Sequence, residues 1–74
     1  MEQETAWTEH PHDRHARCIG HLCVNVTPTR WPARPWRFRV EGPGVREGGM
    51  ARSLRAAKCG GTREARRLLA GADA

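Results

Sequence analysis

Arg30-Trp31-Pro32-Ala33-Arg34-Pro35-Trp36-Arg37-Phe38-Arg39 is the stretch on which the reading of this chain turns. It holds three of the four aromatic side chains and four of the thirteen positive charges. From Trp36 the stretch alternates: Trp36, Phe38 and Val40 fall on one side of an extended backbone, Arg37, Arg39 and Glu41 on the other. Period two is the pattern of a half-buried strand, apolar toward a core and charged toward water. The same residue types suit a surface where guanidinium groups meet phosphates and indoles stack on unpaired bases.

Upstream, Leu22, Val24 and Val26 alternate with Cys23, Asn25 and Thr27. That predicts a first strand, paired antiparallel with Trp36–Val40 in a hairpin at about 21–41. Pro28, Pro32 and Pro35 lie between the two strands. Proline has no amide to donate, so residues 28–35 are expected to form an extended, polyproline-like tip. Downstream, Gly42-Pro43-Gly44 ends the strand and Val45-Arg46-Glu47 reads as a short edge strand before Gly48-Gly49.

From Met50 the period becomes helical, with Met50, Leu54 and Ala57 on one face. Cys59-Gly60-Gly61 reads as a break. Thr62 is then placed to cap a second helix, 63–70, with Ala65, Leu68, Leu69 and Ala72 as its stripe and Gly71 as its stop. Residues 1–17 are polar, contain Pro11 and show no period, so they are expected to be a disordered, acidic, His-containing tail. Trp7 within them either folds back on the domain or stands out as an anchor. Residues 18–74 then form a single small basic α+β domain: a β-hairpin with one or two short C-terminal helices.

Seventy-four residues make one domain at most. Its apolar side chains suffice for one thin layer of helix on hairpin. An enclosed active-site cavity with a rigid supporting shell needs more, which argues against an enzyme. Residues 1–13 carry four acids and no Lys or Arg; residues 14–74 carry thirteen positives against four acids, giving −4 and +9 and the net +5. An acidic head on a basic body fits a polyanion-binding surface with a tail that competes for it. Twelve of the thirteen positives are Arg, and there is no Tyr. GC-rich codon usage alone gives such a composition, including in a short open reading frame without a defined activity.

The acidic, polar start has no secretory apolar run, and no stretch reaches the length of a membrane span. The three cysteines are an odd count and do not form a disulfide framework. A reducing, intracellular location (cytoplasm, nucleoid or nucleus) is therefore expected.

The candidate nucleic-acid-binding residues are Arg30, Trp31, Arg34, Arg37 and Arg39, with Arg63, Arg66 and Arg67 as a second group on the last helix. Arginine neutralises phosphate, and base stacking on an indole contributes roughly 1–3 kcal/mol per base. RNA is the favoured partner, an acidic protein the other. Trp36 and Phe38 read better as core; Trp31, between prolines, reads better as an exposed contact. A helix-turn-helix over 50–70 would put Arg63, Arg66 and Arg67 on its second helix, though it lacks a third supporting helix. Pro32-Ala33-Arg34-Pro35-Trp36-Arg37 also has the P-x-x-P-x-R form of Src-homology 3 ligands.

All four histidines and two of the three cysteines lie within residues 10–23. His12, His15, Cys18 and His21 are spaced by three, and Cys23 could substitute for one of them. Imidazole and thiolate are the ligands zinc prefers, and a structural zinc would supply folding energy to a thin core. The spacing matches no standard zinc pattern, so the competing reading has no cofactor: a solvated His-rich tail running into a strand with a buried Cys.

Residues 21–70 resemble the small hairpin-plus-helix domain of HicB-type antitoxins. The resemblance rests on the strand Leu22–Thr27, a second strand opening on Trp36, a glycine turn, Ala51-Arg52-Ser53-Leu54 and the helix Glu64-Ala65-Arg66-Arg67-Leu68-Leu69-Ala70. It departs in the long proline-rich loop and at Cys59-Gly60-Gly61. The resemblance implies a protein-interaction module that binds and blocks a small ribonuclease toxin.

Overall fold

In the computed structural model, which describes residues 3–72, the elements run β1 (Thr8–His10), β2 (Arg14–Ile19), β3 (Leu22–Pro28), β4 (Trp36–Gly42), β5 (Val45–Ala51) and α1 (Leu54–Ala72). The strands form one five-stranded sheet in chain order, every neighbour antiparallel. The class is α+β, as expected, with α1 laid on one face of the sheet.

The hairpin of β3 and β4 pairs Val24 with Val40, Val26 with Phe38 and Pro28 with Trp36. These residues share the face beneath α1. There Ile19, Leu22, Val24, Val40, Ala65 and Leu69 make the buried core, with Trp7, Val45 and Leu68 packed against it. Pro43 and Gly44 turn β4 into β5. Gly44 has φ 71°, the left-handed value that the second central residue of a type II turn requires, with Pro43 favoured at the first.

Four expectations are corrected. Residues 8–10 and 14–17 are not tail but strand, and the backbone of residues 3–5 continues that edge: Gly20 N–H donates to Gln3 O (2.8 Å) and Thr5 N–H to Cys18 O (2.9 Å). Residues 1 and 2 of the expected tail lie outside the described residues. The toward-helix positions of β2 are His15, Arg17 and Ile19, so two of its three inward side chains are polar and no apolar period appears. The ladder to β3 decides the matter instead, pairing His15 to Ile19 with Val26 to Leu22.

The edge strand β5 runs through Gly48-Gly49 to Ala51, displacing the expected helix start at Met50. Ser53 caps the helix: its Oγ accepts from the Ala56 amide (3.1 Å), and its carbonyl accepts from the Ala57 amide (3.0 Å).

There is one helix where a break at Gly60-Gly61 was expected. A Cβ on Gly61 would stand 2.5 Å from Val24 Cγ1, and one on Gly60 would stand 2.9 Å from the Phe38 ring. The two glycines let the helix lie close on the sheet, and that packing offsets their poor helix propensity. Thr62, expected as a cap, is a buried mid-helix residue. The helix-turn-helix reading falls with the break. Ala72, expected on the apolar stripe, has its side chain outside the described residues.

The proline-rich tip is folded rather than extended. Thr29 N–H donates to Pro35 O (2.7 Å), closing the loop, and Arg34 N–H donates to Trp31 O (3.2 Å) around Pro32-Ala33. The Thr29 hydroxyl accepts from the Trp31 amide (3.1 Å) and donates to Arg34 O (2.8 Å). Pro32 sits at the first central position of that turn, where its fixed φ is an advantage. Within this loop Pro32 and Pro35 do not present the extended form a P-x-x-P ligand needs.

Candidate nucleic-acid interface

Alternation along the strands divides the arginines between the two faces of the sheet. The inward residues Val24, Val26, Phe38 and Val40 lie under α1, so Arg37 and Arg39 must point to the opposite face. Among the described residues no element covers that face. The register places Asn25 beside Arg39 and Thr27 beside Arg37. Arg14, at the start of β2, joins them. Together Arg14, Asn25, Thr27, Arg37, Arg39 and Glu41 line a shallow cleft of about 360 Å³. Arg46 on β5 pairs with Glu41 and continues the basic row. Among the described residues the one acid lining the cleft, Glu41, accepts from Arg39 (3.4 Å); both side chains are about half exposed, so the pair is weak and leaves the guanidinium available.

Arg14 has no mark in the sequence as a site residue, because it lies in what reads as tail. The signal that would have found it is the tight turn at Gly20-His21. Once Ile19 is set opposite Leu22, the register carries Arg14 to the side of Thr27.

The other predicted residues are distributed as follows. Arg30, Trp31 and Arg34 sit in the folded loop between β3 and β4, and Trp31 is 66% exposed, a large apolar side chain left in water. Trp36 and Phe38 belong to the helix side, Trp36 meeting the His15 ring edge-on at 6.2 Å. Among the described residues the uncovered face therefore offers charge, the Asn25 amide and the Thr27 hydroxyl but no aromatic platform.

Arg63, Arg66 and Arg67 are on α1, with the sheet between them and Arg37 and Arg39. Arg67 is paired with Glu64. Arg66 grips Glu4 through two bonds (2.8 and 2.6 Å), and Arg17 reaches the same carboxylate (3.2 Å) and the Thr62 hydroxyl (3.3 Å). Trp7 folds back between Arg17 and Lys58, with the two cationic groups 5.4 and 5.2 Å from its ring. The acidic N-terminal segment thus engages arginine, but on the helix side rather than on the hairpin.

The hydrogen bond from Arg66, and then the charges of Arg66 and Arg17, hold the Glu4 carboxyl below its ordinary value. A lowered carboxylate stabilises the fold above its ordinary pKa and loses that contribution as pH falls through the lowered one. The Trp7 indole N–H resonance should therefore hold steady down to about pH 4.5 and move only below it. Glu4→Gln should give the shifted position at every pH; an indole signal unaffected by the substitution would refute the clamp.

The five His and Cys residues considered as zinc ligands are not brought together. His15 faces the helix, buried, with its Nδ1 lacking a hydrogen-bond partner among the described residues. Cys18 and Cys23 face the other way as a cross-strand pair. His12 and His21 stand in the turns at opposite ends of β2. Among the described residues no three His, Cys, Asp or Glu converge on a point that could hold a metal ion.

No family model, no curated protein and no solved structure matches the chain. No described helix is long and apolar enough to cross a membrane.

Proposed function

We propose that the protein is a small, non-catalytic binding module that takes RNA or another polyanion on the uncovered face of its sheet. The observation that carries this reading is the row Arg14, Arg37, Arg39 and Arg46, opposed on that face by Glu41, around a cleft with the amide of Asn25 and the hydroxyl of Thr27. Guanidinium groups on alternate strand positions hold phosphates as a fixed array, and neutral hydrogen-bonding groups between them suit sugar and phosphate oxygens. The exposed Trp31, flanked in the loop by Arg30 and Arg34, supplies a stacking contact for an unpaired base at the end of the face. Without an aromatic platform on the face, binding is expected to follow charge more than sequence. An intracellular setting, where RNA is met, agrees with the odd number of thiols.

A protein-interaction role, such as an antitoxin-like one, is the second reading. The outer edge of β5 supports it, since its seven residues pair only with β4 among the described residues and could accept another strand.

The deciding experiment compares Arg37→Glu/Arg39→Glu with Arg63→Glu/Arg67→Glu for retention of a short single-stranded RNA. Both pairs change the net charge equally. The β4 pair should lose about tenfold or more in affinity and the helix pair only a small amount, since both β4 side chains leave the phosphate array. Equal losses would mean undirected charge attraction, and no loss from the β4 pair would end the proposal.

A further inference from the structure

Cys18 and Cys23 face each other across the β2–β3 hairpin on the uncovered face, with their sulfur atoms 3.1 Å apart. Both backbone groups of Cys18 are used on its other side: its amide donates to the Thr5 hydroxyl (2.8 Å) and its carbonyl accepts from the Thr5 amide (2.9 Å). Cys18 therefore exchanges no backbone bond with Cys23, which makes theirs the non-hydrogen-bonded kind of antiparallel pair. In such pairs the Cα atoms stand about 4.5 Å apart, inside the disulfide span of about 4.4–6.8 Å.

We propose that Cys18 and Cys23 are a modification site, a dithiol that closes to a reversible cross-strand disulfide on encountering a low-molecular-weight disulfide. One protein thiolate attacks the external disulfide, forming a mixed disulfide and releasing one small thiolate. The second protein thiolate attacks the protein sulfur of that mixed bond and expels the other small thiolate. The two protein thiols are oxidised and the external disulfide is reduced to two thiols, which take up the two protons the protein gives up.

One feature makes the bond a switch rather than a staple: the loop it closes, through Gly20-His21, is short, so it gains little from restricting the unfolded chain. The Cys23 thiol is pushed above its ordinary value, by its hydrogen bond with Cys18, then by burial, then by the charges of Cys18 and Glu41, which leaves less of it as the attacking thiolate. In a reducing compartment a bond of this kind forms transiently, as redox-sensing disulfides do.

Cys59 is an internal control, exposed on α1 and separated from the pair by the sheet. The whole protein is incubated with oxidised glutathione, alkylated with N-ethylmaleimide and digested with trypsin. Residues 18–30 leave as one peptide carrying both cysteines, because Arg17 and Arg30 precede the cleavage points. That peptide should be two hydrogens lighter and unalkylated, and should regain two alkylations after dithiothreitol. Cys23→Ser should instead retain one glutathione on Cys18. Closure should be at least about tenfold faster in the folded protein than in guanidinium chloride, because the strands preset the geometry. A wild-type peptide that keeps glutathione or stays doubly alkylated would overturn the proposal, as would equal closure rates folded and denatured.

Discussion

Gly61→Val should lower the thermal midpoint of the protein by roughly 10–20 °C. The added Cβ would stand 2.5 Å from Val24 Cγ1 and 3.3 Å from Phe38 Cβ. Val24 has no exposed surface, and its branched Cβ restricts χ1, so it has no free space to enter. The helix must lift from the sheet or the strand must bend. Overpacking of this kind costs about 1–3 kcal/mol, and the two γ-methyls of valine put it at the upper end. Leaving glycine gains less than about 1 kcal/mol of helix propensity, which does not offset it. A single-core domain of this size has only about 3–5 kcal/mol to lose. Gly71→Ala is the control of opposite sign: nothing among the described residues lies within 4 Å of its Cβ, so it should raise the midpoint slightly. Thermal melts followed by circular dichroism test both. A Gly61→Val midpoint equal to that of the parent would mean that helix and sheet are not in this close contact.

The Gly61 contact also explains what was legible in the sequence and what was not. β3 and β4 announce themselves because their inward positions are Leu22, Val24, Val26, Phe38 and Val40, an unbroken apolar alternation. β2 does not, because its inward positions include His15 and Arg17. Arg17 is a residue of mixed character here: its stem lies in the sheet layer while its guanidinium serves Glu4, Thr62 and the Thr5 carbonyl. The turn before it carries no glycine signal either, since His12 and Asp13 themselves take positive φ (65° and 58°). Gly60-Gly61 misleads for a related reason. Local propensity marks a break, but the glycines are required by a neighbour far away in sequence, which no local rule registers. The basic face was half legible: Arg37 and Arg39 follow from alternation in β4, whereas Arg14 follows only from the pairing of β2.

Binding of a short single-stranded RNA should weaken about 50-fold when salt rises fourfold, from about 50 to about 200 mM. The figure follows from the four arginines of the uncovered face. If each neutralises one phosphate, a single strand gives a slope of about −0.7 per contact, or about −2.8 in all, in log affinity against log salt. Arg14→Ala should reduce that slope by about one contact, although Arg14 is more than twenty residues from Arg37 in the chain. Trp31→Ala should weaken binding while leaving the slope unchanged, because a stacked base releases no counterion. Glu41→Gln should act in the opposite direction to Arg14→Ala. It removes the carboxylate that accepts from Arg39, a negative charge in the cleft, so affinity at low salt should rise. Equilibrium titrations at four or more salt concentrations give both slope and intercept for each variant. A slope near zero in the parent protein would transfer the weight to the β5 edge, where pairing with another strand depends on backbone hydrogen bonds and not on released ions. An unchanged slope in Arg14→Ala would instead remove β2 from the interface and leave Arg37, Arg39 and Arg46 to carry the polyanion alone.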